Sequence, residues 1–268
     1  MIDILLPVYN GEKYIKEQIE SLESQTFKDF KILIRNDGSS DSSATLLDFV
    51  ASKYDNIILI KDEKGNLGLS KTLEILIRAS SSEYFMFCDQ DDKWMPNKIE
   101  ISYEAIKNME SKHPNTPILI CTDSTCVDDN EKIISQSFFK SQKYTDVTDN
   151  PVKIAAMNVV QGNTCIMNSA CKQHILPFPP YVLYDHWCGI MISHYGFVKY
   201  LHIQTLWYRQ HQGNVLGAND VGIKYFVGKL VHIKKQCRIY QSLFKFSPFK
   251  INPLHWLYYK FYFSFKRL

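Results

Sequence analysis

The sequence predicts an α/β protein built on a mainly parallel sheet, and three features carry that prediction. Short apolar runs alternate with amphipathic stretches of helical period through the first 110 residues. Strands separated by helical patterns of about 10–15 residues form βαβ units. Nearly every apolar run stops at a polar, Gly-, Asn- or Asp-rich segment, and in open α/β sheets ligands bind beyond the carboxyl ends of strands.

Taken in order, residues 2–7 read as a strand and 12–24 as a helix. Residues 30–35 are a strand and 41–53 a helix, 56–60 a strand and 69–79 a helix, and 84–88 a strand followed by a helix over 97–109. The second half is less regular. Residues 117–122 have strand character, 128–150 are polar and read as a loop, and 152–157 and 184–194 are helical. Residues 201–208 form a last strand, 213–220 a flexible joint, and a helical tail that is basic and aromatic begins near Val221. A chain of 268 residues accommodates one large domain with an appendage.

The chain is 45% hydrophobic and 22% charged, which is a globular composition. Met1-Ile2-Asp3 leads straight into a strand-like run without a basic flank, so no secretory leader is expected. The seven cysteines are odd in number and contain no C-x-x-C pair, which suggests neither a disulfide framework nor a zinc site. Reduced thiols in the cytoplasm are expected. The net charge of +3 conceals an asymmetry. Residues 221–268 hold ten Lys or Arg and no acid, while the rest holds 21 basic against 28 acidic side chains.

The strand at 84–88 ends in Asp89-Gln90-Asp91-Asp92. Three carboxylates in four positions repel one another unless a cation offsets them. Mg²⁺ binds through one or two carboxylates plus substrate phosphates, so the motif reads as a site for a metal–diphosphate; its plain alternative is a solvated acidic turn. After the first strand, Pro7-Val8-Tyr9-Asn10-Gly11 shapes a turn that frees Tyr9 to lie on a planar base. After the second, Asp37 in Asn36-Asp37-Gly38-Ser39-Ser40-Asp41 is placed to accept the N3–H of a uracil or thymine ring, while Asp41 caps the next helix. Gly65-Asn66-Leu67-Gly68-Leu69-Ser70-Lys71 leads into the third helix, where a helix N-terminus and a lysine favour an anion. Neither a P-loop nor a G-x-G-x-x-G turn is present, which argues against P-loop and nicotinamide chemistry.

The set PVYNGEKYI, NDGSSDS, GNLGLSKT and FCDQDDKW resembles family-2 glycosyltransferases of the GT-A fold, over about residues 1–215 and most densely in the first hundred. DQDDKW with the later YDHW and YRQHQGN is similar to a rhamnosyltransferase-like branch that builds bacterial surface polysaccharides. The resemblance implies a GT-A Rossmann-like domain over 1–218, with a nucleotide-sugar half (1–110) and an acceptor half (111–218); the basic, aromatic composition of 219–268 reads as a helical membrane-associating extension. It implies that Pro7, Tyr9, Asn10, Glu12 and Asp37 hold the nucleoside and that Asn66, Gly68 and Lys71 line the same pocket or the diphosphate. Asp89, Gln90 and Asp91 would form the D-x-D segment, with Mg²⁺ or Mn²⁺ on Asp91 supported by Asp89 and by His211; Asp92 has no assigned role. Asp185, in Tyr184-Asp185-His186-Trp187, matches the family's acidic catalytic motif and would be the general base. Tyr184 stands where another acid often sits. Trp187, Gly162 and Asn163 would bind the acceptor, with core packing as the equal alternative for Trp187 and an edge-strand turn for the other two. Arg209 would close over the diphosphate.

These expectations describe a metal-dependent, inverting transfer of one sugar from dTDP-rhamnose or a UDP-sugar to a glycan acceptor that is lipid-linked. The processive Q-x-x-R-W signature is absent. The competing readings are a non-catalytic membrane-bound scaffold of a polysaccharide assembly complex and a sugar-phosphate nucleotidyltransferase. A basic, aromatic tail is drawn to the anionic cytoplasmic face of a membrane. A homodimer interface is the next reading of the tail, ahead of nucleic acid, which is not expected as a partner.

Overall fold

The computed structural model describes residues 1–211 and 233–267. The elements run β1 (Ile2–Val8), α1 (Ile15–Glu23), β2 (Phe30–Asn36), α2 (Ser43–Lys53), β3 (Ile57–Leu59), α3 (Leu69–Ala79), β4 (Tyr84–Phe87), β5 (Lys93–Trp94) and α4 (Lys98–Lys112). They continue with β6 (Ile118–Val127), β7 (Ile133–Ser135), α5 (Phe138–Ser141), α6 (Pro151–Ala156), β8 (Cys165–Asn168), α7 (Lys172–Ile175), α8 (Tyr184–Tyr195), β9 (Phe197–Arg209), α9 (Ile233–Phe246) and α10 (Pro253–Lys266). The expected joint at 213–220 lies outside the described residues.

The strands form one sheet in the order β3-β2-β1-β4-β8-β6-β9-β5, with β7 paired to β6. β1, β2, β3 and β4 are mutually parallel, β8 runs antiparallel between β4 and β6, and β6 and β9 are parallel. Every residue of β1 is buried, as are all ten of β6. Such near-continuous apolar runs belong to strands covered on both faces. Alternation then divides them: Leu5, Leu33, Phe85 and Phe87 enter one core cluster, and Ile4, Leu6, Ile32, Ile34 and Met86 the other. The one acid inside β1, Asp3, accepts hydrogen bonds from Ser80 Oγ, Ser81 N, Ser82 N and Ser82 Oγ and so fixes the turn between α3 and β4.

Three differences from the sequence reading have identifiable physical causes. The segment 128–150 is not a plain loop. Asp128 Oδ1 accepts the N–H groups of Asn130 and Lys132 at 2.9 Å, which closes a turn and returns β7 along β6. Ser137 then caps α5 by accepting Lys140 N. β5 is a two-residue strand formed by pairing with β9, a long-range contact with no local signal. Gly162–Thr164 does not make an edge turn: it is a 3₁₀ turn feeding β8, an interior strand of the sheet.

Candidate active site

The carboxyl ends of β1, β2 and β4 meet on one edge of the sheet, and the loops they carry are bonded to each other. Gln90 joins two of them: its Oε1 accepts Tyr9 N at 2.9 Å and its Nε2 donates to Tyr9 O at 3.0 Å. The Tyr9 ring is left 50% exposed. Pro7 is buried within β1 opposite Arg35. Asn10 and Glu12 are tied to the loop after β2, where Asn10 Oδ1 accepts Ser40 N and Glu12 Oε2 accepts Ser42 N. Asp41 returns the bond by accepting Glu12 N and also accepts Ser43 N in the first turn of α2.

Asp37 is 3% exposed and its oxygens are largely occupied. Oδ1 accepts from Arg35 Nη1, from Thr72 Oγ1 at 2.8 Å and from Leu67 N at 2.9 Å, and Oδ2 accepts Gly68 N at 2.8 Å. A carboxylate offers about two lone-pair sites per oxygen, so Oδ1 is fully engaged by its three donors while one site remains on Oδ2. Burial pushes the Asp37 carboxyl up, but the bonds from Leu67, Thr72, Arg35 and Gly68 outweigh it and hold the group below its ordinary value. Arg35 in turn grips Asp62 with two parallel bonds of 2.9 Å and donates to Gly65 O. That fork brings the Asp62 carboxyl down to about 2. The Arg35–Asp37–Asp62 cluster therefore shapes the glycine loop in which Asn66 and Gly68 stand exposed, Gly68 at φ +80°. Lys71 pairs with Glu74 at 2.8 Å. A cleft of about 330 Å³ beside the cluster is lined by Ile34, Asn36, Gly38, Leu59, Asp62 and Gly65.

The three carboxylates after β4 have distinct surroundings. Asp91 Oδ2 lies 2.9 Å from His211 Nε2, and the His211 ring stacks on Tyr14 at 4.8 Å. Asp89 is raised to about 7 by burial first and then by the charges of Asp91 and Asp185. Asp92 is 1% exposed; its Oδ2 accepts from Asn163 Nδ2 and its Oδ1 accepts Arg209 N at 3.2 Å. Asp92 thus joins the loop after β4 to the 3₁₀ turn and to the end of β9. Arg209 is 4% exposed and reaches Glu17 Oε2 at 2.7 Å and Asp91 O at 3.1 Å, so its guanidinium braces the cluster from beneath. Deeper still, Lys98 is wholly buried, brought down to about 8 by desolvation, and donates to Thr205 Oγ1 at 3.3 Å.

Asp185 lies in the first turn of α8, where it accepts His186 N at 2.6 Å and Asn158 Nδ2 at 3.1 Å. Burial raises its carboxyl to about 6, opposed by the bonds from His186, Asn158 and Gly162 N–H. A carboxyl raised towards neutrality yet still mostly ionised at pH ~7 is suited to accept a proton. Tyr184 is buried, and a Cβ on Gly162 would collide with its phenol, so a glycine is required there. His186 is buried and held neutral, pushed down to about 4 by desolvation, with Nε2 bonded to Ile154 O.

Trp187 corrects the expectation of an acceptor platform. It is 3% exposed in the core, and its indole N–H donates to Ile175 O at 3.1 Å. The indole lies on the inner side of α8, where a sugar has no access. Asn163 is also buried, and its Oδ1 has no hydrogen-bond partner. Sequence reasoning missed Arg35, Asp62, Asn158, Tyr14 and Glu17. Only Arg35 had a signal, a cation inside an apolar strand run.

The residues at hand suit a partly shared divalent ion. Among the described residues no group of three or more His, Cys, Asp or Glu converges to cage a metal. Asp91 and His211 offer an oxygen and a nitrogen side by side, with Asp89 adjacent. That set matches an ion whose other positions are filled by substrate phosphates and water.

Comparison with known proteins places this arrangement. The profile of glycosyl transferase family 2 matches residues 3–172, more than half of the chain. An uncharacterized glycosyltransferase of Haemophilus influenzae is 37% identical over 188 residues, covering 66% of this chain and 55% of that protein. A putative glycosyltransferase of Bacillus subtilis, EpsH, is 29% identical over 182 residues, covering 66% and 50%. The teichoic acid poly(glycerol phosphate) polymerase of Staphylococcus epidermidis is 34% identical over 109 residues, 41% of this chain and 15% of that one. The chain spans from 15% to 55% of the length of these relatives. Among solved structures, S. aureus TarS 1-349 in complex with UDP-GlcNAc superposes at a TM-score of 0.67 with 17% identity, over 99% of this chain and 72% of that one. The mannosyltransferase PcManGT from Pyrobaculum calidifontis, in complex with GDP-Man and Mn²⁺, gives 0.63 with 14% identity, over 98% and 69%. These likenesses show a shared fold, that of GT-A glycosyltransferases. On the profile match, the chain belongs to glycosyl transferase family 2.

Proposed function

We propose that the protein is a metal-dependent, inverting glycosyltransferase that moves one sugar from a nucleoside-diphosphate donor to a glycan acceptor. The observation that carries the reading is the pair formed by the Asp89–Asp91 cluster and Asp185. The two lie close enough for the charge of Asp185 to raise the Asp89 carboxyl, yet they rise from different elements. Residues 1–110 would serve the donor, with Tyr9 against the base and the Asp37-organised glycine loop, Asn66, Gly68 and Lys71 along the nucleotide. Residues 111–218 would serve the acceptor, with Asn163 acting from behind the pocket through its bond to Asp92.

Asp91 and His211, seconded by Asp89, would hold Mg²⁺ or Mn²⁺, which when bound supplies Lewis-acid stabilisation of the leaving diphosphate. Asp185 accepts the proton of the acceptor hydroxyl as its oxygen bonds to the anomeric carbon and the carbon–oxygen bond to the diphosphate breaks on the opposite side. One base and one displacement invert the anomeric centre without a covalent intermediate. The donor is dTDP-rhamnose or a UDP-sugar. The acceptor is lipid-linked, used in surface polysaccharide synthesis on the cytoplasmic face of a membrane. Support for that setting comes from the polymerase relative and from the basic tail.

The test is a panel of dTDP-, UDP- and GDP-sugars followed by thermal shift and by sugar release, with and without Mn²⁺ or Mg²⁺. One nucleotide-sugar that stabilises the protein and is turned over only with the cation is the expected result. Turnover unaffected by chelator would overturn the metal assignment, and no turnover with any donor would overturn the enzymatic reading.

A further inference from the structure

Helix α10 is apolar on two opposite faces. The inner face is docked: Trp256 and Phe263 are 3% and 5% exposed, Trp256 Nε1 donates to Ala155 O at 3.1 Å and Lys260 Nζ to Ala156 O at 2.8 Å. On the outer face, Leu254, Tyr258, Phe261 and Phe265 recur at i, i+4, i+7 and i+11 and are 76%, 63%, 62% and 76% exposed. Leu257 and Tyr262 widen this stripe. A helix already seated through one face gains nothing from the fold by carrying a second apolar face, and contiguous exposed apolar surface marks an interaction site.

The charge of the C-terminal segment, read from its sequence, selects the occupant. From Val221 onward there are ten Lys or Arg and no acid, so a surface that is anionic throughout is matched. Among the described residues no helix is long and apolar enough to cross a membrane. An exposed aromatic stripe flanked by a cation, here Lys266, in a segment without acids is a feature of a helix lying in the interface of an anionic bilayer.

We propose that the outer face of α10 is a membrane-contact surface: Leu254, Tyr258, Phe261 and Phe265 enter the interface while neighbouring cations such as Lys266 meet lipid phosphates. The proposal rests on the reading of a lipid-linked acceptor and deepens it, because the same helix braces the candidate base. The carbonyls that receive Trp256 and Lys260 end α6, and Asn158, two residues beyond Ala156, donates to Asp185. Ile154 O in the same turn accepts from His186. Bilayer contact and the acceptor side of the site therefore share one short segment, which sets the base at a fixed place relative to the lipid surface.

The test is co-sedimentation of the full chain with vesicles of phosphatidylglycerol and phosphatidylcholine, against phosphatidylcholine alone, for the parent and for Tyr258→Glu/Phe261→Glu/Phe265→Glu. The parent should bind the anionic vesicles in a salt-sensitive manner. The triple variant should lose on the order of a thousandfold or more in affinity, from the lost burial of three aromatic rings, with its thermal midpoint and its donor turnover without vesicles unchanged. Undiminished sedimentation of the variant, or no sedimentation of the parent, overturns the proposal. A dimer of the parent that the variant dissolves would assign the face to a second copy and also overturn it. Vesicle binding as expected, with no sugar nucleotide turned over, would uphold the surface and sink the catalytic reading alone.

Discussion

Replacing Asp37 separates two roles that coincide in one carboxylate. As a donor ligand it would matter only when nucleotide is bound. As the anchor of the glycine loop it matters to the empty protein, because it neutralises a guanidinium whose side chain is 1% exposed. Removing one partner of a buried ion pair costs about 3–5 kcal/mol. Arg35 keeps its two bonds to Asp62 and one to Gly65 O, so Asp37→Ala belongs at the lower limit, about 3 kcal/mol. With a urea m-value of about 3 kcal/mol/M, the unfolding midpoint should fall by about 1 M. Asp37→Asn keeps an acceptor and should lose about half as much. The carboxyl is held below its ordinary value, so its stabilising contribution is present above pH ~4 and is lost as pH falls through the folded-state value. The parent and Asp37→Ala curves should therefore converge in acid. An unchanged midpoint at pH 7 together with lost donor affinity would refute the anchoring role and leave Asp37 a ligand only.

Asp92→Asn should fold at least as stably as the parent, because burial and the charges of Asp91 and Asp89 already favour an uncharged group there, Arg209 N–H keeps an acceptor and the Asn163 amide can turn to offer its unpartnered Oδ1; Asp92→Ala should lose about 2–3 kcal/mol by chemical unfolding. The carboxyls of Asp89 and Asp185, raised to about 7 and about 6, bind protons in the folded state that the unfolded chain releases near pH ~4. Their contribution to stability therefore falls as pH rises from ~4 towards ~7, and the increase in thermal midpoint on adding Mn²⁺ should be larger at pH 8 than at pH 5. Trp187→Phe should lower stability by about 1–2 kcal/mol through a lost indole hydrogen bond and packing volume, with the acceptor KM unchanged.

The parallel half of the sheet was legible because β1, β2 and β4 are covered on both faces and each loop after a strand is polar. Residues 69–79 match α3 end to end, and the four loops at the strand ends do converge. Residues whose partners are distant were not legible. β5 exists only through β9, Asp92 is explained only by Asn163 and Arg209, and Asn158 meets Asp185 across 27 positions. Trp187 shows the limit of reading one motif: an aromatic beside a candidate base looks like a sugar platform until the helix phase turns it into the core.

In the proposed reaction Asp185 takes the acceptor proton while the cluster after β4 holds the donor. Asp185→Asn keeps the bonds to Asn158 and His186 within reach and removes the base. Transfer rate and donor Kd should be measured side by side, in the presence of Mn²⁺, on the sugar nucleotide that the panel selects. kcat should fall by about 10²–10⁴-fold with donor Kd within about threefold of the parent. Turnover close to the parent's, or a loss explained wholly by weaker donor binding, would contradict that assignment.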